Sequence, residues 1–348
     1  MIIYTKNTGA SAVSTSKLET PIKMIIQHES DLITKKGGIC DSLFNIEKSN
    51  RFGETIVGGN EFSLFAATEE GMAAEDNPIT GGYEKFIEHI QFMKEFAISA
   101  EMMEDANYGI AADAKRRAEN FTRAYYKTIN KICETALAMG TSTNATYANA
   151  SLDLTAPDGL PLFHASHKWG TADGANGTQS NYFYGDIFCK GTDRAYSEAA
   201  FEEALYNLSV KLRNMKDESG ESLGYSADTV VLPGNKPMAE LIAKKVLGGE
   251  CNHGDCCGVQ FGEWKVVVLP GWQPTHDSVM VMSSEANKNL AGNMFFNRIP
   301  LTVTSWIDNH SGNYIWNGRC RFGVGFGNYK HILLAVDSAS AVSGATKM

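Results

Sequence analysis

The sequence predicts an α+β fold, and three stretches carry that prediction. Between residues 86 and 98 the large apolar side chains Phe86, Ile90, Phe92, Phe96 and Ile98 share one parity, the period of a strand with one apolar face. From Ala114 to Ala136 they recur at spacings of three and four, the period of a long amphipathic helix. After residue 228, apolar runs such as "KVVVLP", "SVMVM", "NMFFNRIPLTVTSWI" and "HILLAV" dominate, mostly short and set between turn residues, so strands crowd the last third of the chain.

The first 50 residues are polar and weakly patterned. One short helix is expected around "KLETPIKMIIQHESDLITKK", and the segment reads as an arm whose apolar residues need a partner surface. Next come Phe62 and Leu64 in "NEFSLFAAT", then Phe86, Ile90, Phe92 and Phe96. They form the apolar faces of two strands joined across the acidic, turn-rich "EEGMAAEDNPITGG". The expectation is a long hairpin over 51–98. Two strands alone are marginal in water, so this hairpin requires cover from elsewhere.

Ser99 can cap a short helix, "AEMMEDA". The long helix then places Ala114, Ala118, Phe121, Tyr125, Ile129, Ile132 and Ala136 on one face, leaves Lys115, Arg116, Arg117, Glu119 and Arg123 mostly to solvent, and stops at Gly140. Residues 140–194 are rich in Thr, Asn, Ala, Gly and Asp and read as loop with short strands. A second helix begins near Ser197 with Phe201, Leu205, Leu208, Leu212 and Met215 inward. "ADTVVLPGNKPMAELIAKKVLGG" follows as a buried strand, a turn and a third helix.

At 348 residues with 43% hydrophobic and 20% charged side chains, the chain is an ordinary globular protein with room for two or three lobes. Its net charge of -9 argues against a protein built to grip phosphate backbones. The apolar runs are too short to span a bilayer and no secretory signal is visible, so a cytoplasmic site of synthesis and no membrane partner are expected. Seven cysteines without a secretory context read as reduced, buried thiols and not as a disulfide framework.

Several motifs resemble chemistry without completing it. In "DGLPLFHASHKWG", His164 and His167 lie three apart with Ser166 and Asp158 nearby, which suggests a metal-dependent hydrolase. The zinc-hydrolase pattern needs a helix, a spacing of four and a glutamate, and Ser166 lies in no G-x-S-x-G elbow. The favoured reading is a loop whose histidines hydrogen-bond backbone carbonyls. Cys251, His253, Cys256 and Cys257 in "CNHGDCCG" are metal candidates, but no second ligand pair completes a zinc knuckle, and a flexible loop with free thiols is preferred. "GVGFG" at 323–327 precedes no helix that could receive a pyrophosphate, so it reads as a strand that other backbone approaches closely. No catalytic residue, cofactor or metal is therefore expected.

The order of "FMKEFAISAEMMEDANYG", the helix ending "ALAMG", "DGLPLFHASHKWG", "YSADTVVLPGNKPMAELIAKKVL" and "KVVVLPGW" with "RCRFGVGFGNY" resembles the major head proteins of tailed bacteriophages, particularly the Mu-type group. The resemblance spans about residues 50 to 335. It implies the Hong Kong 97 fold, with an N-terminal arm (1–50), a hairpin called the E-loop (51–98) and a peripheral domain with a spine helix (99–144). An axial domain (145–262) and strands returning to the peripheral domain (263–348) complete it. The same resemblance implies a non-enzymatic virion protein that assembles in a bacterial cytoplasm into hexamers and pentamers of an icosahedral shell. Its partners would be scaffolding, portal and decoration proteins and double-stranded DNA held without sequence-specific binding. Phe62, Leu64, Phe86, Ile90, Phe92 and Phe96 would then contact a neighbouring subunit. An encapsulin-like compartment of the same fold and the hydrolase are the alternatives.

Overall fold

The structure is a computed structural model that describes residues 3–5, 12–59, 67–68, 70–73, 81–99, 108–171, 174–191, 193–247 and 264–348. The amino-terminal segment holds β1 (Ile3–Thr5), α1 (Ala12–Lys36), α2 (Ile39–Leu43) and β2 (Asn45–Lys48). A two-stranded ribbon of β3 (Gly53–Gly59) and β4 (Gly81–Glu88) precedes β5 (Ile90–Ile98) and the long helix α3 (Tyr108–Ala138). Short hairpins follow: β6 (Asn144–Tyr147) with β7 (Ala150–Asp153), and β8 (His167–Thr171) with β9 (Gly174–Gln179). Then come β10 (Tyr182–Gly185), β11 (Cys189–Lys190), β12 (Ala195–Tyr196), α4 (Glu198–Arg213), β13 (Thr229–Pro233) and α5 (Pro237–Leu247). The last tract comprises β14 (Lys265–Leu269), β15 (Ser278–Met282), α6 (Ser284–Asn289), β16 (Asn293–Ile307), β17 (Tyr314–Phe326), β18 (Ile332–Asp337) and β19 (Thr346–Lys347).

Two sheets organise these elements. In the first, β16 and β17 pair antiparallel from Asn293↔Phe326 to Ile307↔Tyr314, with β5 on the outer edge of β17 and both β1 and β2 parallel to β16. Helices α1 and α3 lie on it. Ile22 and Ile26 from α1, Ala114, Ala118 and Phe121 from α3, and Leu301, Val303 and Trp316 from the sheet form one core. The arm therefore holds a 25-residue helix docked on its own long helix, longer than the short helix expected. Arg123 donates to Glu29 at 2.5 Å and the Ser30 and Tyr126 hydroxyls meet at 2.6 Å. The partner surface that its apolar residues required is supplied by the same chain.

The second sheet runs β14-β13-β15-β18-β10-β19 and mixes parallel and antiparallel pairs. Strands β13, β15 and β18 are buried on both faces, which explains their unbroken apolar runs. One face carries α4 and α5, with Phe201, Leu205, Leu208 and Leu212 inward as the spacing predicted. The other face meets the carboxy-terminal half of α3 through Ile132, Cys133, Ala136 and Leu137. Asp337, at the end of β18, accepts the amides of Ile187, Phe188 and Cys189 at 3.3, 2.5 and 2.8 Å and pairs with Arg194.

This topology corrects the expected boundary at 262. Strands β14, β15 and β18 complete the sheet begun by β10 and β13, and within 263–348 only β16 and β17 return to the first sheet. The reason is register: Thr229 to Pro233 align parallel with Lys265 to Leu269, and Met280 pairs with both Val231 and Leu334. No helix among the described residues is long and apolar enough to cross a membrane.

Candidate functional site

The strand expected across 86–98 is two strands. β4 pairs antiparallel with β3, from Gly53↔Glu88 to Gly59↔Gly81, whereas β5 pairs with β17, from Ile90↔Phe322 to Ile98↔Tyr314. The hairpin boundary therefore moves from 98 to 88. Inward positions also change parity at the break. On β4, Lys85 and Ile87 face the body of the chain and Phe86 faces outward; on β5, Ile90, Phe92 and Phe96 face inward. His89 and Ile90 are consecutive inward residues, so the alternation slips by one.

The six residues expected to contact a neighbouring subunit thus separate into three groups. Phe62 and Leu64 lie outside the described residues. Ile90, Phe92 and Phe96 pack on their own chain: Phe92 stacks on Phe322 at 4.9 Å, and Phe96 on Trp316 at 5.2 Å with Phe121 tilted beside it. Pairing with β17 packs these three, partly buried, against the core of their own chain. Phe86 alone remains outward, 51% exposed and stacked with Phe52 at 6.5 Å. Phe52 and Val57, both 57% exposed, join it on an apolar outer face that sequence periodicity did not single out.

The inner face of the ribbon is anchored. Gly323 and Gly325 on β17 are the close-approach positions inferred from "GVGFG": a Cβ at Gly323 would stand 2.8 Å from the Glu88 carbonyl, and one at Gly325 would stand 2.6 Å from Ile87. Ile87 itself joins Met294 and Phe296 in a small core with Ile56 against it. Lys85, 6% exposed, donates to Asp153 and, at 2.6 Å, to Thr155. Burial pushes the Asp153 carboxyl up, but the Lys85 ammonium and the Thr155 donors outweigh it and hold it below its ordinary value.

The buried histidine of the loop is held structurally. His167 is fully buried; its Nδ1 faces Asp158 Oδ2 at 2.7 Å, its Nε2 faces the Leu162 carbonyl at 3.1 Å, and its ring stacks on Tyr329 at 3.9 Å. Both nitrogens meet oxygen acceptors, so neither is free to bind a metal or take a proton from Ser166. The Ser166 amide donates to His164 Nδ1 at 3.2 Å, and burial, together with the nearby His167, lowers the His164 pKa. Asn181 locks the loop to the second sheet: its Oδ1 accepts from the His164 amide at 2.9 Å and its Nδ2 donates to the Leu162 carbonyl at 2.7 Å. Tyr329, whose phenol is pushed up by burial, donates to the Lys168 carbonyl at 2.9 Å. The hydrolase reading of His164 and His167 is corrected accordingly. Cys251, His253, Cys256 and Cys257 lie outside the described residues, and among the described ones no cluster of His, Cys, Asp or Glu could hold a metal ion.

No protein-family model matches the chain, and no curated protein matches it. Among solved structures, a chain in the capsid of the cyanophage P-SCSP1u aligns over 86% of this chain and 87% of its own, at 10% identity and a TM-score of 0.50. This is the fold of a phage capsid chain. A chain from Mycobacterium phage Patience aligns at 16% identity over 99% of this chain and 95% of its own, with a TM-score of 0.49. A chain from the capsid of an empty GTA particle does so at 13% identity over 87% and 90%, also with a TM-score of 0.49. The α+β capsid fold expected from the order of motifs is the one observed. Within that capsid fold, the histidine loop is a brace between layers and the ribbon is the part left uncovered on one face.

Proposed function

We propose that this chain is a major capsid protein that self-assembles into hexamers and pentamers of an icosahedral phage head enclosing double-stranded DNA. The observation that carries the reading is the ribbon on a capsid fold: its inner face is anchored at the root, while Phe52, Val57 and Phe86 present an apolar outer face. Such a surface gains roughly 25 cal/mol per Å² of apolar area when a neighbouring copy covers it. A heterologous contact of this kind closes subunits into rings. The chain is a virion component in this reading, made in the host cytoplasm, with scaffolding, portal and decoration proteins as further partners. Packaged DNA would be held without sequence-specific contacts, consistent with the net charge of -9. Placement in the Mu-type group rests on the sequence resemblance alone. The arm, E-loop, peripheral and axial divisions carry over with the E-loop ending at 88 and with β14, β15 and β18 counted in the axial sheet.

The test is electron microscopy with sedimentation of the purified chain, alone and with its scaffolding partner. Capsomers or closed shells are expected. A strictly monomeric species at every concentration and salt would refute the reading. Nuclease-protected DNA in particles from infected cells would separate a phage head from an encapsulin-like container, which would hold protein cargo instead.

A further inference from the structure

The ribbon leaves the sheet at a single residue. His89 alone separates the strand paired with β3 from the strand paired with β17. Its side chain is 2% exposed, yet neither ring nitrogen makes a well-formed hydrogen bond, the Phe52 carbonyl being the acceptor beside it. Buried polar atoms in native proteins are almost always satisfied, so an imidazole this poorly satisfied at a junction demands a reason. A phenylalanine or leucine would fill comparable space without stripping water from two nitrogens.

The groups around the ring compensate its protonation only in part. The Phe296 ring from β16 is tilted beside it at 6.1 Å. Glu54 faces it from β3, Arg298 from β16 and Arg321 from β17. Glu54, the carboxylate of this group, already accepts from the Ser49 hydroxyl at 2.6 Å. The backbone is tied down at the same point: the His89 amide donates to the Phe52 carbonyl at 3.4 Å, and Arg321 Nε donates to the His89 carbonyl at 3.1 Å. The Arg321 guanidinium also sits over the Phe52 ring at 5.2 Å. Burial lowers the pKa of the imidazole most; Glu54 and the Phe52 backbone oppose it in part, and the two arginines add to it.

We propose that His89 is a proton-operated hinge pin: neutral, it seats the root of the ribbon against the first sheet, and protonated, it lets the root disengage while the sheet stays paired. The seated root binds fewer protons than the released one, because the released imidazole regains its ordinary affinity in water. By linkage the seating free energy is complete above the ordinary histidine range and declines as the pH falls through it towards the lower value of the seated ring.

Amide hydrogen exchange on the purified full chain tests this at about pH 7.5 and about pH 5.5, either side of the ordinary histidine value of about 6.5. With intrinsic exchange rates corrected for pH, protection of the β3 and β4 amides is expected to fall roughly fivefold or more at the acid value, the lower end of the usual coupling between a ligand and a two-state element. The β16 and β17 amides should keep theirs. His89→Phe and His89→Gln, which carry no titrating ring, should hold ribbon protection constant between the two conditions, and either variant suffices if the other misfolds. An unchanged ribbon in the parent chain, an equal loss in a folded variant, or a loss spread across β16 and β17 would overturn the proposal. The chains are compared in one association state, so the outcome is independent of whether they build shells.

Discussion

Phe86 and Phe92 are six residues apart, share the same strand parity in sequence, and have opposite fates. Phe92 is sandwiched into the core against Phe322, while Phe86 lies outward over Gly53 and beside Phe52. The β4 ribbon is seated at its root, where Lys85, Ile87 and His89 turn inward, whereas β5 is one of the strands of the five-stranded sheet. Hydrophobic alternation tells which residues share a face. It does not tell which partner covers that face, and here the partner changes in the middle of the run.

The sharpest way to break the comparison is to place the same charge on both sides of it. Phe92→Asp should destabilise the subunit strongly, because it sets a carboxylate in place of a ring half-buried against Phe322 and the core. Phe86→Asp should leave a subunit with native circular dichroism and a melting temperature near that of the parent, yet shells should be missing from electron micrographs. A subunit-contact role for Phe92 would predict the reverse, assembly spoiled and folding spared. Equal outcomes for the two variants would erase the distinction between ribbon and sheet.

Gly325→Val probes the seat of the ribbon. Its branched side chain would displace Ile87, and overpacking of this kind costs typically about 1 to 3 kcal/mol, read as a lower denaturation midpoint with an unchanged slope. Lys85→Met sharpens the comparison with the smallest effect. It keeps the aliphatic stem but removes the donor to Asp153 and Thr155, a loss of about 1 kcal/mol or less. The Asp153 carboxyl, no longer held down by the ammonium, should titrate at a higher pH by carbon-detected NMR. A carboxyl that stays where it was would mean that Lys85 does not anchor the ribbon.

Much of the architecture was legible because it is local. Helix α3 spans Tyr108–Ala138 where period and glycine stop placed it, and Phe201, Leu205, Leu208 and Leu212 are buried as their spacing required. What escaped was decided at long range. Strands β14, β15 and β18 read as strands, yet which sheet they join depends on partners at 182–185 and 229–233. The docking of α1 depends on Arg123 and Tyr126, almost a hundred residues away along the chain. At the ribbon, the missing signals were polar: Lys85 and His89 occupy inward positions that a hydrophobicity pattern assigns to water. Asp158 and His167 were noticed as chemistry, and both became scaffolding because they pair in a dry interior, with the Leu162 carbonyl on the second ring nitrogen and backbone amides on the carboxylate.

The carboxylate of Asp337 gathers amides from residues that precede it by about 150 positions, and β18 lies between β10 and β15 in the finished sheet. A nascent chain with α4, β13 and α5 already outside the ribosome still lacks a central strand and the anion that closes the turn at 187–189. The second sheet can mature only after synthesis has passed residue 337, and long-range pairing of this kind forms slowly. Until then the layer that braces the histidine loop stays unfinished.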